Sequence, residues 1–198
     1  MSSTGVQERP QAPRRHLSDR QARPVDRLVE AAAEEVVEVG YAAMTVRNVA
    51  KRAGVAPATA YTYFASKEHL VSEVYLRRFA AQPESTPDPG RPAAARATDA
   101  LLAFALAVSE ETELAAAVTV AMLADDPEVR DLRARIGLEV HRRLVDALGD
   151  DAEPTAIRTL ELATSGALLQ VGTGHLAYDD VPRLLAETAE LVLGGAAR

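Results

Sequence analysis

The chain has 198 residues, no cysteine, 4% aromatic residues and a net charge of −7. The lack of cysteine excludes disulfide bonds and cysteine-ligated metal sites. No stretch reaches the roughly 20 apolar residues of a membrane-spanning helix, and no signal-peptide pattern opens the chain, so we expect a cytoplasmic protein without membrane contact. Alanine, leucine and valine recurring at helical spacing predict an all-α fold.

The charge is unevenly divided along the chain. Residues 1–80 hold 12 Lys and Arg against 9 Asp and Glu, whereas residues 81–198 hold 10 against 20. Residues 1–22 are polar, contain prolines and several arginines, and predict a flexible basic arm. Such an arm is compatible with a phosphate or minor-groove tether and equally with a solvated tail.

The first two predicted helices follow this arm. Pro24 is expected to open the first helix, whose apolar stripe ends near Gly40. Thr45 is a suitable N-cap for a short second helix, which runs to Arg52. Between its apolar positions the second helix carries polar and basic side chains.

A sharp turn and a third helix come next. Gly54 can adopt the left-handed conformation that a tight turn requires, and Pro57 fits the first position of a helix ending near Tyr63. Ala60 and Phe64 are expected to face the core, which leaves small, hydroxyl-bearing and aromatic residues on the outside. This pattern predicts a helix-turn-helix whose second helix enters a DNA groove.

Residues 26–79 resemble the N-terminal domain of the tetracycline-repressor (TetR) family of bacterial regulators. The matching blocks are Val39-Gly40-Tyr41, Thr45-Val46-Arg47-Asn48-Val49-Ala50, Ala53-Gly54-Val55, Thr59-Ala60-Tyr61-Thr62-Tyr63-Phe64 and Ser66-Lys67-Glu68. The resemblance implies an N-terminal three-helix helix-turn-helix DNA-binding domain and a C-terminal helical bundle for ligand binding and dimerisation, with about nine helices in total. Several blocks in the same order make this resemblance more specific than one motif.

The expected DNA contacts follow from the helix-turn-helix pattern and this resemblance. They are Thr45, Arg47, Ala58, Thr59, Tyr61, Thr62, Tyr63 and Lys67. Tyr61 has an alternative role, packing beneath the helix. The family often has Ser, Lys and Gly where this chain has Ala56, Pro57 and Ala58, and His or Arg at the position of Thr62. The operator sequence therefore cannot be transferred from a relative.

The rest of the chain predicts a helical bundle. Ser66 is expected to cap a fourth helix with an inward face of Leu70, Val71, Val74, Tyr75 and Phe79. The proline-rich stretch 81–92 predicts a linker, because proline interrupts a helix. The expected organisation is therefore a flexible basic arm at 1–22, a DNA-binding domain at 23–80, the linker at 81–92, and a ligand-binding and dimerisation domain at 93–198. Five helices are predicted beyond the linker, at 93–109, 111–124, 127–148, 154–175 and 181–193.

Residues 157–173 suit a dimer interface in the family's usual arrangement. Their stripe of Leu160, Ala163, Thr164, Ala167, Leu168 and Val171 is accompanied by Gly166 and Gly172, which allow close approach. Leu184, Leu185, Leu191 and Leu193 supply a second apolar helix. The alternative is that the same stripe belongs to the core of one chain.

A ligand pocket is expected inside the bundle, for a small apolar effector. The candidate lining residues are Leu102, Phe104, Leu106, Met122, Leu123, Leu138, His141, Leu144, Leu169 and Thr173. Each of them has ordinary core packing as the alternative role. No histidine pair has zinc spacing, so neither a metal nor a cofactor is expected.

These patterns predict a repressor that binds a near-palindromic DNA operator as a homodimer and is released by its effector. An enzyme is not expected, because the chain has no nucleophile elbow, P-loop or dinucleotide fingerprint. The alternative is a helical small-molecule-binding or scaffolding protein without sequence-specific DNA binding. Activation rather than repression also remains open, since it depends on where the operator lies.

Overall fold

The computed structural model describes residues 19–84 and 88–194, and these residues form nine α-helices, two short 3₁₀ segments and no strand. The all-α class is therefore confirmed. The helices are α1 (Asp19–Ala43), α2 (Val46–Arg52), α3 (Pro57–Tyr63), α4 (Lys67–Ala80), α5 (Ala93–Ala105), α6 (Thr112–Met122), α7 (Pro127–Leu148), α8 (Pro154–Gly172) and α9 (Val181–Gly194).

Helix α1 starts earlier than the sequence suggested. It begins at Asp19, and Pro24 lies inside it. Proline's fixed φ is compatible with a helix, and the carbonyl that Pro24 deprives of an N–H partner and crowds belongs to Arg20 in the first turn of α1, where little helix precedes it. The predicted basic arm thus loses residues 19–22 to α1, and its remaining residues 1–18 lie outside the described part of the chain. Gly40, with φ of 76° and ψ of 157°, interrupts the helix where the apolar stripe was expected to end.

The helix-turn-helix forms as predicted. The Thr45 hydroxyl accepts a hydrogen bond from the Asn48 N–H at 3.1 Å and so caps α2. Gly54 has φ of 63° at the turn, and Pro57 opens α3. Both residues expected to face the core, Ala60 and Phe64, are buried.

An ion-pair cluster fixes α2 against α1. The Arg52 guanidinium lies 2.8 Å from Glu35 and 3.6 Å from Glu34, and it also contacts Glu38. Glu35 is only 5% exposed, and its carboxylate accepts a hydrogen bond from Nε of Arg52. Removing one member of such a pair leaves an uncompensated charge in a low-dielectric site, which is strongly destabilising. Arg52 therefore serves the fold of the helix-turn-helix.

Helix α4 connects the helix-turn-helix to the remaining helices. It packs against α1 on one side and against α6 and α7 on the other, and its five predicted inward residues are all buried. The Tyr75 hydroxyl donates a hydrogen bond of 3.0 Å to the Phe104 carbonyl at the end of α5. The Phe79 ring lies edge-on to Phe104 and beneath the Arg143 guanidinium, at centroid distances of 5.3 Å and 4.4 Å.

The bundle is built around α5, which packs against α7 and α9, while α8 packs against α9 and α6. Three of its helices end earlier than predicted, and α6 stops at Met122, two residues short of its predicted end. Helix α5 ends at Ala105, because the chain turns at Leu106 and the Phe104 carbonyl accepts from Tyr75 and from the Ala107 N–H. Helix α8 ends at Gly172, just before the positive φ of 75° at Gly174.

The apolar stripe of α8 belongs mainly to the chain's own core. Leu160, Thr164 and Ala167 are 0%, 1% and 4% exposed, so the intramolecular alternative is right for these residues. Gly172 also faces its own chain, because a Cβ added there would lie 2.2 Å from Cγ2 of Thr119 on α6. Gly172 thus permits the close approach of α6 and α8.

Gly172→Ala is expected to lower the free energy of unfolding by about 1–3 kcal/mol, because the new methyl group would overlap Thr119. Gly137→Ala on α7 is the matched control, since a Cβ there meets nothing within 4 Å. The control is expected to raise stability by about 0.5–1 kcal/mol through helix propensity alone. Chemical denaturation of both variants checks this, and equal stability changes would contradict the packing of α6 on α8.

Candidate nucleic-acid interface and ligand cavity

One exposed surface joins α2 and α3. Tyr61 is 52% exposed on α3, so it does not pack beneath the helix. Ala56 leaves α3 without a side-chain N-cap. The other predicted contact residues that are exposed on this surface are Thr45, Arg47, Ala58, Thr59 and Thr62.

Two of the predicted contact residues are half-buried. The Lys67 ammonium donates to the Tyr41 carbonyl at 2.9 Å and lies 4.3 Å from the centre of the Tyr41 ring. Tyr63 packs partly against the core. The Tyr41 hydroxyl in turn donates to Glu68 at 2.9 Å, and burial together with that carboxylate raises the pKa of Tyr41 above its usual value. Lys67 therefore holds the start of α4 against the end of α1, and Tyr63 anchors the end of α3 to the core.

The charge of the α2–α3 surface is positive. Within residues 19–84 and 88–194, no carboxylate lies within salt-bridge distance of Arg47 or Lys51, whereas Arg52 is engaged by α1. Lys51 was absent from the predicted contacts, although its place on the exposed face of a short basic helix could have indicated it. Unpaired cations on a helix-turn-helix suit a phosphate backbone.

A direct hydrogen bond joins the N-termini of α4 and α7. The Ser66 hydroxyl accepts from the His69 N–H at 3.0 Å and donates to Asp126 at 2.6 Å. Asp126 is itself the N-cap of α7 and accepts from the N–H groups of Glu128 and Val129 at 2.8 and 3.3 Å. The Ser66 hydrogen bond is the main reason why the pKa of Asp126 is lowered. Two helix caps are thus joined across the molecule.

A cavity of about 780 Å³ lies between α6, α7 and α8, and α4 reaches it through Tyr75. Its volume is within the range of small-molecule sites, roughly 300–1,000 Å³. Six of the ten predicted lining residues contribute to its wall, namely Phe104, Met122, Leu123, Leu138, His141 and Leu169.

The other four predicted lining residues lie elsewhere. Leu144 is 0% exposed and lies one turn beyond His141 on the same face of α7, in the core past the end of the cavity. Leu102 and Leu106 lie four residues apart at the end of α5, on a different side from Phe104. Thr173 follows the end of α8, where its hydroxyl donates to the Leu169 carbonyl at 3.0 Å. The structure places these four residues outside the cavity wall, because apolar periodicity does not say which neighbouring helix each face meets or where along a helix the cavity ends.

Three charged residues of the wall, Arg133, Arg158 and Glu161, were absent from the prediction. His141 and Glu161 form a hydrogen-bonded pair at 2.8 Å between α7 and α8. Arg133 donates through Nη1 to the carbonyls of Met122 and Ala124, at 2.5 and 3.1 Å, and Arg158 also lines the cavity. The spacing of positions 133, 137 and 141 on one face of α7 is the signal that could have found Arg133.

Two further features bear on function. Among residues 19–84 and 88–194, no cluster of three or more His, Asp or Glu side chains could hold a metal ion. Within the same residues no helix has both the length and the apolar character that spanning a bilayer requires.

Comparison with known proteins identifies the family. Residues 28–74 match the sequence profile described as bacterial regulatory proteins, tetR family. An HTH-type transcriptional regulator of Mycobacterium tuberculosis is 45% identical over 179 residues, which cover 89% of this chain and 84% of that protein. The chain belongs to the TetR family of transcriptional regulators.

Two further relatives agree with this assignment. The HTH-type transcriptional repressor KstR of Rhodococcus jostii is 29% identical over 181 residues, covering 87% of this chain and 84% of KstR. The crystal structure of a TetR transcriptional regulator from Rhodococcus sp. RHA1 superimposes with a TM-score of 0.73 at 26% identity, covering 89% of this chain and 98% of that one. The TetR-family protein is thus a DNA-binding transcription regulator with a helix-turn-helix, and its family consists of regulators rather than enzymes.

Ser66→Ala is expected to lower the free energy of unfolding of this TetR-family protein by about 1–2 kcal/mol at pH 7, because α4 loses its N-cap and Asp126 loses a donor. Asp126 has a lowered pKa in the folded state, so its stabilising contribution is present above about pH 4 and is lost as the pH falls through the folded pKa. The Ser66→Ala penalty should therefore shrink in acid. Chemical denaturation at pH 7 and at pH 3 measures the loss of stability caused by Ser66→Ala, and Ser165→Ala on an exposed part of α8 is the control. An equal loss at both pH values would rule out the Asp126 contribution.

Proposed function

We propose that this TetR-family protein is a homodimeric repressor that binds a near-palindromic operator through α2 and α3 and is released by a small effector bound in the cavity. The observation that carries the proposal is the position of α4. One end of α4 follows the recognition helix α3, and further along the same helix Tyr75 lines the cavity. An occupant of the cavity therefore touches the helix that sets the position of α3.

The proposed DNA contacts use the exposed α2–α3 surface. Thr59 and Tyr61 are assigned to base edges, and Arg47 and Thr45 to the phosphate backbone. Ala58 and Thr62 flank the base-reading residues, although the Thr62 hydroxyl is already bonded to the Ala58 carbonyl at 3.0 Å. Lys67 and Tyr63 remain proposed contacts of a secondary kind, because both are partly engaged by the fold.

A two-fold dimer is proposed to use the outward faces of α8 and α9. Leu191 on α9 is 83% exposed, and Thr159 and Gly166 on α8 are small exposed residues. An apolar face with small residues suits close packing against a second copy. Two recognition helices held in this way would meet successive major grooves roughly one helical turn apart.

Repression rather than activation is proposed from the relatives. KstR carries the description of a transcriptional repressor and shares 29% identity with this protein over most of both chains. Release then requires the effector to favour a conformation with lower operator affinity. Such a coupling free energy is typically about 1–3 kcal/mol.

The operator is identified by selecting random double-stranded DNA with the purified full-length protein at a stated salt concentration. Enrichment of an inverted repeat is expected. Thr59→Ala should then weaken binding to that operator by roughly 5- to 100-fold and relax the sequence specificity. Arg47→Ala should weaken binding to all DNA sequences alike, and it should reduce the slope of log affinity against log salt concentration by about one. Arg135→Ala, at an exposed position of α7 away from α2, α3 and the proposed dimer face, is the control with unchanged affinity. Absence of any enriched sequence would favour the helical ligand-binding protein without sequence-specific DNA binding.

Light scattering at micromolar concentration is expected to give twice the mass of one chain. Leu191→Glu should convert the protein to monomers, because a charge in the centre of an apolar interface is left unpaired. Val37→Glu is the matched control, since Val37 is also an exposed apolar residue, at 56%, but lies on α1. A monomeric wild-type protein, or a dimer that tolerates Leu191→Glu as well as Val37→Glu, would contradict the proposed interface.

A further inference from the structure

We infer that the effector is an amphipathic carboxylic acid, whose apolar body fills the cavity and whose carboxylate binds Arg133. The inference rests on the ligand cavity of the proposed function and specifies the chemistry of its occupant. It replaces the expectation of a purely apolar effector.

Arg133 presents a guanidinium edge ready for a carboxylate. Its Nη1 donates to the carbonyls of Met122 and Ala124 at the end of α6, which fixes the plane of the group. Its Nε and Nη2 donate to no described residue. These two nitrogens form the side of the guanidinium that binds both oxygens of a carboxylate in parallel. A half-buried, oriented donor pair of this kind loses little conformational entropy on binding.

The other charges of the wall do not neutralise Arg133. The cavity is lined by Arg133, Arg158 and a single carboxylate, Glu161, so its ionic lining is net positive when His141 is neutral. Glu161 is already hydrogen-bonded to His141, one turn of α8 away from Arg158. No carboxylate lies within salt-bridge distance of Arg133 in the described ranges. Residues 81–198 carry an excess of acidic side chains, and Arg133 and Arg158 both belong to this part of the chain. The positive charge of the wall is therefore a local property of the cavity.

The remainder of the wall suits a hydrocarbon body. Phe104, Val118, Met122, Leu138, Leu162 and Leu168 present apolar surface to a volume of about 780 Å³. Apolar atoms in such a site contribute free energy in proportion to the area that they remove from water. A carboxylate alone would gain little from this wall, and an alkane alone would leave the two donors of Arg133 unused.

The position of Arg133 also connects the ligand to the DNA-binding helices. Arg133 holds the carbonyl of Met122, the last residue of α6, and that of Ala124 in the segment joining α6 to α7, and Asp126 at the end of this segment is bonded to Ser66 at 2.6 Å. Ser66 caps α4 just after α3. A carboxylate that binds Arg133 therefore displaces or fixes the side chain that holds this segment, and the segment is hydrogen-bonded to the start of α4.

Isothermal titration calorimetry of the full-length protein with dodecanoate and with dodecan-1-ol at pH 7.5 tests the inference. The two probes share one hydrocarbon chain and differ only in the head group. Wild-type protein should bind dodecanoate about tenfold or more tightly than dodecan-1-ol, as expected for hydrogen bonds to a charged partner. Arg133→Gln should abolish that preference while leaving the affinity for dodecan-1-ol unchanged, which shows that the cavity is still folded.

Arg158→Gln is the matched control, because it removes the other cavity-lining arginine, and it should retain the preference for dodecanoate. Equal binding of the two probes by wild-type protein would overturn the inference, and so would loss of the preference in Arg158→Gln but not in Arg133→Gln. The titrations contain no DNA, so their result is independent of the operator selection that tests repression. Failure of one proposal is therefore distinguishable from failure of the other.

Discussion

The buried face of α4 is the constraint on which the rest of the structure depends. Leu70, Val71 and Val74 pack where α1 and α6 approach, and further along the same face Tyr75 and Phe79 meet Phe104 of α5. Because this face is close-packed on both sides, a displacement of α4 toward one neighbouring helix opens a void against the other. The helix-turn-helix and the cavity-bearing helices are thereby joined through one rigid element.

Polar contacts give this apolar arrangement a defined register. Arg52 ties α2 to three glutamates of α1, and Ser66 ties the start of α4 to the start of α7. Both contacts lie at helix ends, where backbone groups lack partners within the helix and a small shift breaks a hydrogen bond. Interfaces of this kind respond to small displacements by exchanging one discrete set of contacts for another, which is what the proposed response to an effector requires.

Much of the DNA-binding part could be predicted from the sequence because its signals are local. Thr45 and Ser66 act as caps through hydrogen bonds to residues three positions ahead, and Gly54 supplies a backbone conformation that other residues avoid. The apolar periodicity of α4 likewise predicted all five of its buried residues. In the cavity the same reasoning found Phe104 and His141 but also chose Leu144, which faces the core, and it overlooked Arg133.

The sequence by itself determined that the chain is helical, the caps at Thr45 and Ser66, the turn between α2 and α3, and the family. Each of these features depends on residues only a few positions apart, so the local sequence is enough to predict it. Only the tertiary structure decided which helix faces meet, that Gly172 accommodates Thr119, and that Arg133 faces a cavity with two donors unused. Contacts between distant segments depend on how the helices cross and pack in three dimensions, and the periodicity of one helix does not specify the angle at which another helix crosses it.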